Sequence, residues 1–192
     1  MKTTTDIISI RQWVLYCTTG WITGVILILI LSGWLDSLGI ENMQFYTGTG
    51  MGAGIGFMQW LILKKKYGIG LNWFWLSVAG MTLPFIAADL LYSGQSEFKL
   101  GICVTTGALI TGFLQSHLLK NKFHYTFSWI TTAWLAWTLA ALPVLFISFT
   151  MNIRGEGITN LFLALINLIL ILAGGPLLGI ISFKGIRQLQ RP

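Results

Sequence analysis

The chain has 192 residues, of which 55% are hydrophobic and only 9% are charged. Because soluble domains carry about 25% charged residues, this composition excludes an ordinary water-soluble protein. The net charge of +6 is spread over short segments between apolar runs, which excludes a basic nucleic-acid-binding domain.

Six apolar stretches follow one another along the chain, each long enough for a helix that crosses a bilayer, which takes about 20 apolar residues. The predicted spans are 13–34, 43–63, 71–92, 101–119, 127–150 and 160–183. Continuous apolar runs exclude the alternating strands of a membrane β-barrel. The sequence therefore predicts an all-α, polytopic protein with six transmembrane helices, forming a single transmembrane domain over residues 1–192.

The basic residues predict the orientation of these helices. Lys and Arg concentrate before the first span and after the second, fourth and sixth, whereas the other loops hold most of the acidic residues. Basic residues accumulate at cytoplasmic helix ends. We therefore expect both termini to be cytoplasmic, in a bacterial-type inner membrane or another energy-transducing membrane.

A weak internal repeat divides the chain into three helical hairpins, at about 11–66, 71–122 and 127–187. Trp13, Trp73 and Trp129 occupy matching positions at the start of the odd-numbered helices. Because these positions lie near a membrane interface, we expect the three indoles to belong to the aromatic belt. Transporters are often built from internal repeats, and simple duplication of a stable hairpin is the alternative explanation.

Pairs of small residues four positions apart predict where the helices pack. Such pairs lie on one helix face and let two backbones approach closely. The predicted packing residues are Gly20 and Gly24, Gly52 and Gly56, Ala108 and Gly112, and Gly175 and Gly179. Five glycines between positions 48 and 56 predict that the second helix is central and contacted from several sides.

Polar residues at membrane depth are candidate ligand-binding groups, because burying them in lipid is costly. Deep aromatic residues are further candidates. Gln59 and Gln115 each follow a seam glycine by three residues, so they either grip a ligand or form a structural hydrogen bond between helices. Trp21 and Trp137 occupy matching deep positions. They either line a pocket for an apolar or cationic ligand, or serve as packing or lipid-facing bulk.

Two further candidates are ionisable. Asp89 is expected near the outer end of the third span. It is either a proton or cation site or a group that reaches the lipid headgroups. His117 is a candidate axial ligand to a pigment metal or a haem iron. No metal-binding spacing surrounds it, and Cys17 and Cys103 are expected at opposite depths, where they cannot form a disulfide.

The second helix carries the motif G-x-x-x-G-x-x-Q-W-x-x-L, which runs from Gly52 to Leu63 and is followed by three lysines, and the fourth helix carries a similar string from Ala108 to Gln115. This string resembles uncharacterised bacterial multi-pass membrane proteins with such hairpins. The fourth helix departs from it at Ser116, and the sixth has Ser182 in place of the glutamine. The resemblance implies no activity. In size and layout alone, the chain is also similar to substrate-binding subunits of energy-coupling-factor transporters.

The sequence contains no recognisable hydrolase, protease or phosphate-binding motif, so we expect no catalytic residues and no enzyme activity. No motif indicates a cofactor, although bound lipid or pigment is compatible with the composition. Two functions follow. The first is a non-catalytic membrane subunit that packs into a homo-oligomer or a larger membrane complex. The alternative is a small-molecule permease or the substrate-capture subunit of a transporter.

Overall fold

The computed structural model describes residues 7–40, 43–91, 97–120, 123, 127–154 and 161–189, and every regular element among them is an α-helix. The six helices are α1 (Ile10–Ser37), α2 (Phe45–Tyr67), α3 (Asn72–Leu91), α4 (Glu97–Leu119), α5 (Phe127–Arg154) and α6 (Leu161–Leu189). A helix covers each predicted span, and most helix ends agree with the predicted ones to within a few residues. The predicted ends at Tyr92 and Asn160 lie outside the described residues.

Local signals in the sequence set several helix ends. Ser9 caps α1 through a capping box with Gln12, whose backbone N–H donates to the Ser9 hydroxyl over 3.2 Å. At the end of α2, Gly68 adopts the left-handed conformation with φ 62°, which a residue with a side chain rarely adopts. Short connections between consecutive helices, such as the one after Gly68, keep these helices adjacent and antiparallel.

The helices form a closed ring. Each helix packs against the next in sequence, and α1 also packs against α6. Within the described residues, no backbone contact joins α1, α3 and α5 across the middle, and α2 touches α4 only marginally. No helix therefore occupies the centre of the ring, and only side chains reach into it.

Glycines bring α2 close to both of its neighbours. A Cβ atom on Gly20 would lie 2.9 Å from the Gly54 carbonyl oxygen, and one on Gly24 would lie 3.1 Å from that of Gly50. On the opposite face, a Cβ on Gly52 would lie 2.7 Å from the Ser77 carbonyl oxygen. The expectation that α2 is central and contacted from several sides is therefore wrong: α2 is one member of the ring and packs closely against its two neighbours, α1 and α3.

The remaining predicted packing residues also lie between helices of the same chain. Cβ atoms on Gly175 and Gly179 would approach the backbones of Thr18 and Val14 on α1 within 2.9 Å and 2.7 Å. One on Gly112 would lie 3.3 Å from Ile130 Cα on α5, while Ala108 is fully buried.

Five of the helices are long and apolar enough to cross a membrane. The exception is α2, whose many glycines and three terminal lysines lower its mean hydropathy, although buried packing surrounds much of it. Large apolar side chains such as Leu29, Leu90 and Phe146 are more than 60% exposed, as expected for surfaces that face lipid. The chain is therefore an integral membrane protein.

Candidate functional site

A cavity of about 250 Å³ lies in the centre of the ring, within the half that contains the acidic helix ends. All six helices contribute to its wall, which is apolar or aromatic except for Thr47. The lining residues are Trp21, Val25, Ile28, Thr47, Met51, Met81, Phe85, Leu100, Val104, Trp137, Ala141, Val144 and Ile171.

Trp21 and Trp137, which were predicted as pocket candidates, are brought together at this cavity. Their ring centroids are 6.2 Å apart with an interplanar angle of 36°, and each side chain is at most 6% exposed. The Trp21 indole N–H donates to the Ile171 carbonyl over 2.8 Å. Cβ atoms on Gly174 or Gly175 would collide with the Trp21 side chain, so these glycines provide the space that the indole occupies. Trp21 is therefore held in one position.

The opposite half of the ring is closed by three tryptophans. Trp129 contacts both Trp13 and Trp73, with ring centroids 6.2 Å and 5.5 Å apart. All three side chains are at most 1% exposed. The prediction that they form an aromatic belt is therefore wrong. They lie near the starts of their helices, but they face the centre of the ring, where no helix backbone fills the space.

Gln115, on α4, forms hydrogen bonds to α3 and α5 beside this tryptophan cluster. Its side-chain oxygen accepts a hydrogen bond from the Trp129 indole N–H over 2.9 Å, and its amide donates to the Ser77 hydroxyl over 2.8 Å. The Ser77 hydroxyl in turn donates to the Trp73 carbonyl over 2.7 Å. The Gln115 amide thus links α3, α4 and α5, an arrangement that matches the structural alternative considered for this residue.

Gln59 and Ser182 occupy the matching positions on α2 and α6. The Trp13 indole N–H donates to the Ser182 hydroxyl over 2.8 Å, as Trp129 does to Gln115. The Gln59 amide donates to the Cys17 sulfur over 3.7 Å, a weak contact. Among the described residues, the Trp73 indole N–H has no hydrogen-bond partner. Neither glutamine lines the cavity, and both lie in the half of the ring that holds the tryptophan cluster.

Asp89 lies at the outer end of the cavity, one turn beyond the lining residue Phe85. One carboxylate oxygen is 2.7 Å from the Lys99 ammonium, and both side chains are at most 6% exposed. The other oxygen accepts hydrogen bonds from the backbone N–H groups of Gln44 and Phe45, each over 2.8 Å. Asp89 therefore ties together α2, α3 and α4, and its carboxylate is buried among groups of the same chain.

The remaining candidates lie elsewhere. The His117 side chain is exposed on α4 and is not part of the cavity lining. Cys17 and Cys103 are both unpaired and buried, at different depths, as expected from the sequence. Within the described residues, no group of three or more His, Cys, Asp or Glu side chains is placed to hold a metal ion.

Several contributors to this arrangement were missed in the sequence. Lys99 was counted only as a loop charge, although it is a buried partner of Asp89. Ser77 was not considered, and Ser182 was noted only as the residue in place of the glutamine, yet both join the tryptophan cluster. The spacing of Ser77 carries a signal, since it follows Trp73 by four residues and so shares its helix face.

Comparisons of the chain with family models, curated proteins and solved structures found no match.

Proposed function

We propose that the chain is a non-catalytic integral membrane protein that captures a small apolar molecule in its central cavity. The observation that carries the proposal is the cavity itself, because all six helices contribute to its wall and the wall is almost entirely apolar. Binding sites for small molecules are typically concave, mostly apolar and preformed, and they often lie between the helices of bundles.

The size and lining of the cavity favour a particular class of ligand. An engineered apolar cavity of about 150 Å³ stays dry and binds benzene. The cavity of about 250 Å³ therefore suits a neutral molecule of one or two rings, or a short branched hydrocarbon. Trp21, Trp137 and Phe85 offer aromatic faces, while Met51 and Met81 offer flexible thioethers that adapt to irregular shapes.

This proposal develops the permease or substrate-capture alternative considered for the sequence. The competing interpretation, a subunit that packs through small-residue seams into a complex, loses its main argument because these seams face helices of the same chain. Assembly into a homo-oligomer or with other membrane subunits stays a prediction. It would have to use the exposed large apolar side chains instead.

The proposal can be tested with 1-fluoronaphthalene as the probe and the full-length protein in phosphatidylcholine nanodiscs. Fluorine NMR would detect saturable binding above the partitioning of the probe into empty nanodiscs. Ala141 lines the cavity, so Ala141→Phe should reduce the specific binding at least about tenfold. The control is Leu142→Phe, at a neighbouring residue whose side chain is 50% exposed, which should leave binding unchanged.

Absence of saturable binding, or equal effects of the two variants, would overturn the capture proposal. Native mass spectrometry of protein extracted gently from its own membrane distinguishes the two functions. A single chain with a small adduct would favour capture and would identify the molecule. A mass increased by whole subunits or by a second protein would favour the complex.

A further inference from the structure

A second concave surface lies on the outside of the ring, between α4 and α5, and is separate from the central cavity. It is an open groove of about 600 Å³. Leu109, Ile110 and Phe113 of α4 line one side, and Phe127 and Ile130 of α5 line the other. Phe113 and Phe127 are 64% and 75% exposed, so they form ridges beside the groove.

The groove has about the length of one lipid leaflet. Its lining on α4 extends over the twelve residues from Leu109 to Lys120, and the eleven steps between them span about 16 Å along the helix axis. The hydrocarbon core of a bilayer is about 30 Å thick, so half of it matches this length. Lys120 immediately follows the last helical residue of α4, Leu119, and therefore lies near the depth of the headgroups.

The groove ends at the strongly basic end of the ring. The described charged residues at this end are all cationic, and Lys120 is exposed with no described ion-pair partner. They are Arg11, Lys64, Lys65, Lys66, Lys120, Lys184 and Arg187. The partial negative charge at the end of α4 is offset by the partial positive charge at the start of α5, whose first residue, Phe127, lines the same groove.

We infer that the α4–α5 groove binds one anionic phospholipid, with an acyl chain against Phe113 and Ile130 and the phosphate at Lys120. Apolar surface along the groove holds the chain, and the lysine selects for a net negative headgroup. This lipid would bind at the rim of the bundle, so it would not compete for the central cavity, and its absence would leave the proposed function untouched.

The test uses full-length protein reconstituted in vesicles of phosphatidylcholine and phosphatidylglycerol, and native mass spectrometry after gentle extraction. Wild-type protein should retain phosphatidylglycerol preferentially. Lys120→Gln should reduce this preference about fivefold, while Lys65→Gln, which removes an exposed lysine outside the groove, should leave it nearly unchanged. Lys120→Arg should preserve it.

A groove-filling variant tests the apolar part of the site. Ile110→Trp should reduce retention of both lipids, with circular dichroism confirming that the variant is folded. Equal losses for Lys120→Gln and Lys65→Gln would indicate only general attraction to the basic end and would overturn the inference. Displacement of the bound lipid by inorganic phosphate, or unchanged retention in Ile110→Trp, would overturn it as well.

Discussion

The two halves of the six-helix ring fill their shared centre in opposite ways. At the basic end, three tryptophans meet, and two of them donate indole N–H hydrogen bonds that fix the cluster, Trp129 to Gln115 and Trp13 to Ser182. At the other end, smaller side chains such as Val104 and Ala141 leave a cavity of about 250 Å³. A ring of six helices has room at its axis that only large side chains can fill. The distribution of large and small residues along the odd helices therefore decides where the protein is solid and where it can hold a ligand.

The largest expected difference between the halves comes from removing one tryptophan from each. Trp129→Ala should lower the free energy of unfolding by about 3–5 kcal/mol, because it removes contacts with both Trp13 and Trp73. Trp137→Ala should cost less than half as much, because that side chain already borders a cavity. Unfolding in mixed micelles with increasing SDS, followed by circular dichroism, measures both. Equal losses would mean that the two halves are packed equally well.

The next largest effect tests whether the open half depends on its buried ion pair. Lys99→Met should destabilise the protein by about 3 kcal/mol, since it leaves the Asp89 carboxylate buried without its cation. The double variant Asp89→Asn with Lys99→Met should recover most of that loss. The same SDS titration measures both variants. A neutral effect of Lys99→Met would show that the backbone N–H groups of Gln44 and Phe45 suffice to stabilise the carboxylate.

The smallest effect concerns the polar groups of the closed half. Gln115→Leu should lower the free energy of unfolding by about 1–2 kcal/mol, because the Trp129 N–H and the Ser77 hydroxyl each lose a partner. Gln59→Leu is the matched control, since it loses only the weak 3.7 Å contact with Cys17 that is described for it. We expect it to cost less than half as much. The reverse order would contradict the structural role assigned to Gln115.

Much of this architecture follows from the sequence, but the site follows only in part. Hydropathy predicted the six helices, and the spacing of Gly20, Gly24 and Gly52 predicted close packing, because both depend on neighbouring residues alone. The pairing of Trp21 with Trp137 agrees with their matching positions. Whether all three hairpins arose from one repeated unit, and which side of the membrane the termini occupy, stay predictions.

The contacts that could not be predicted depend on how the six helices close into a ring. Hydropathy and position near a helix end cannot tell whether Trp13 faces lipid or the axis, since both environments suit an indole. The Lys99 side chain is buried only because α4 lies beside the carboxylate on α3. To predict either contact, one must know which helices are neighbours. The residues adjacent to Trp13 or Lys99 in the sequence do not give that information.

The contact between α1 and α6 has a consequence for biosynthesis. The Trp13 N–H donates to Ser182, a residue 169 positions later in the chain. At about 5–20 residues per second, the ribosome makes Ser182 on the order of ten to thirty seconds after Trp13. The hairpin of α1 and α2 can form early through Gly20 and Gly54, but the other face of α1 stays uncovered throughout this interval. The Trp13 indole N–H therefore gains its partner on α6 only when the last helix joins the ring.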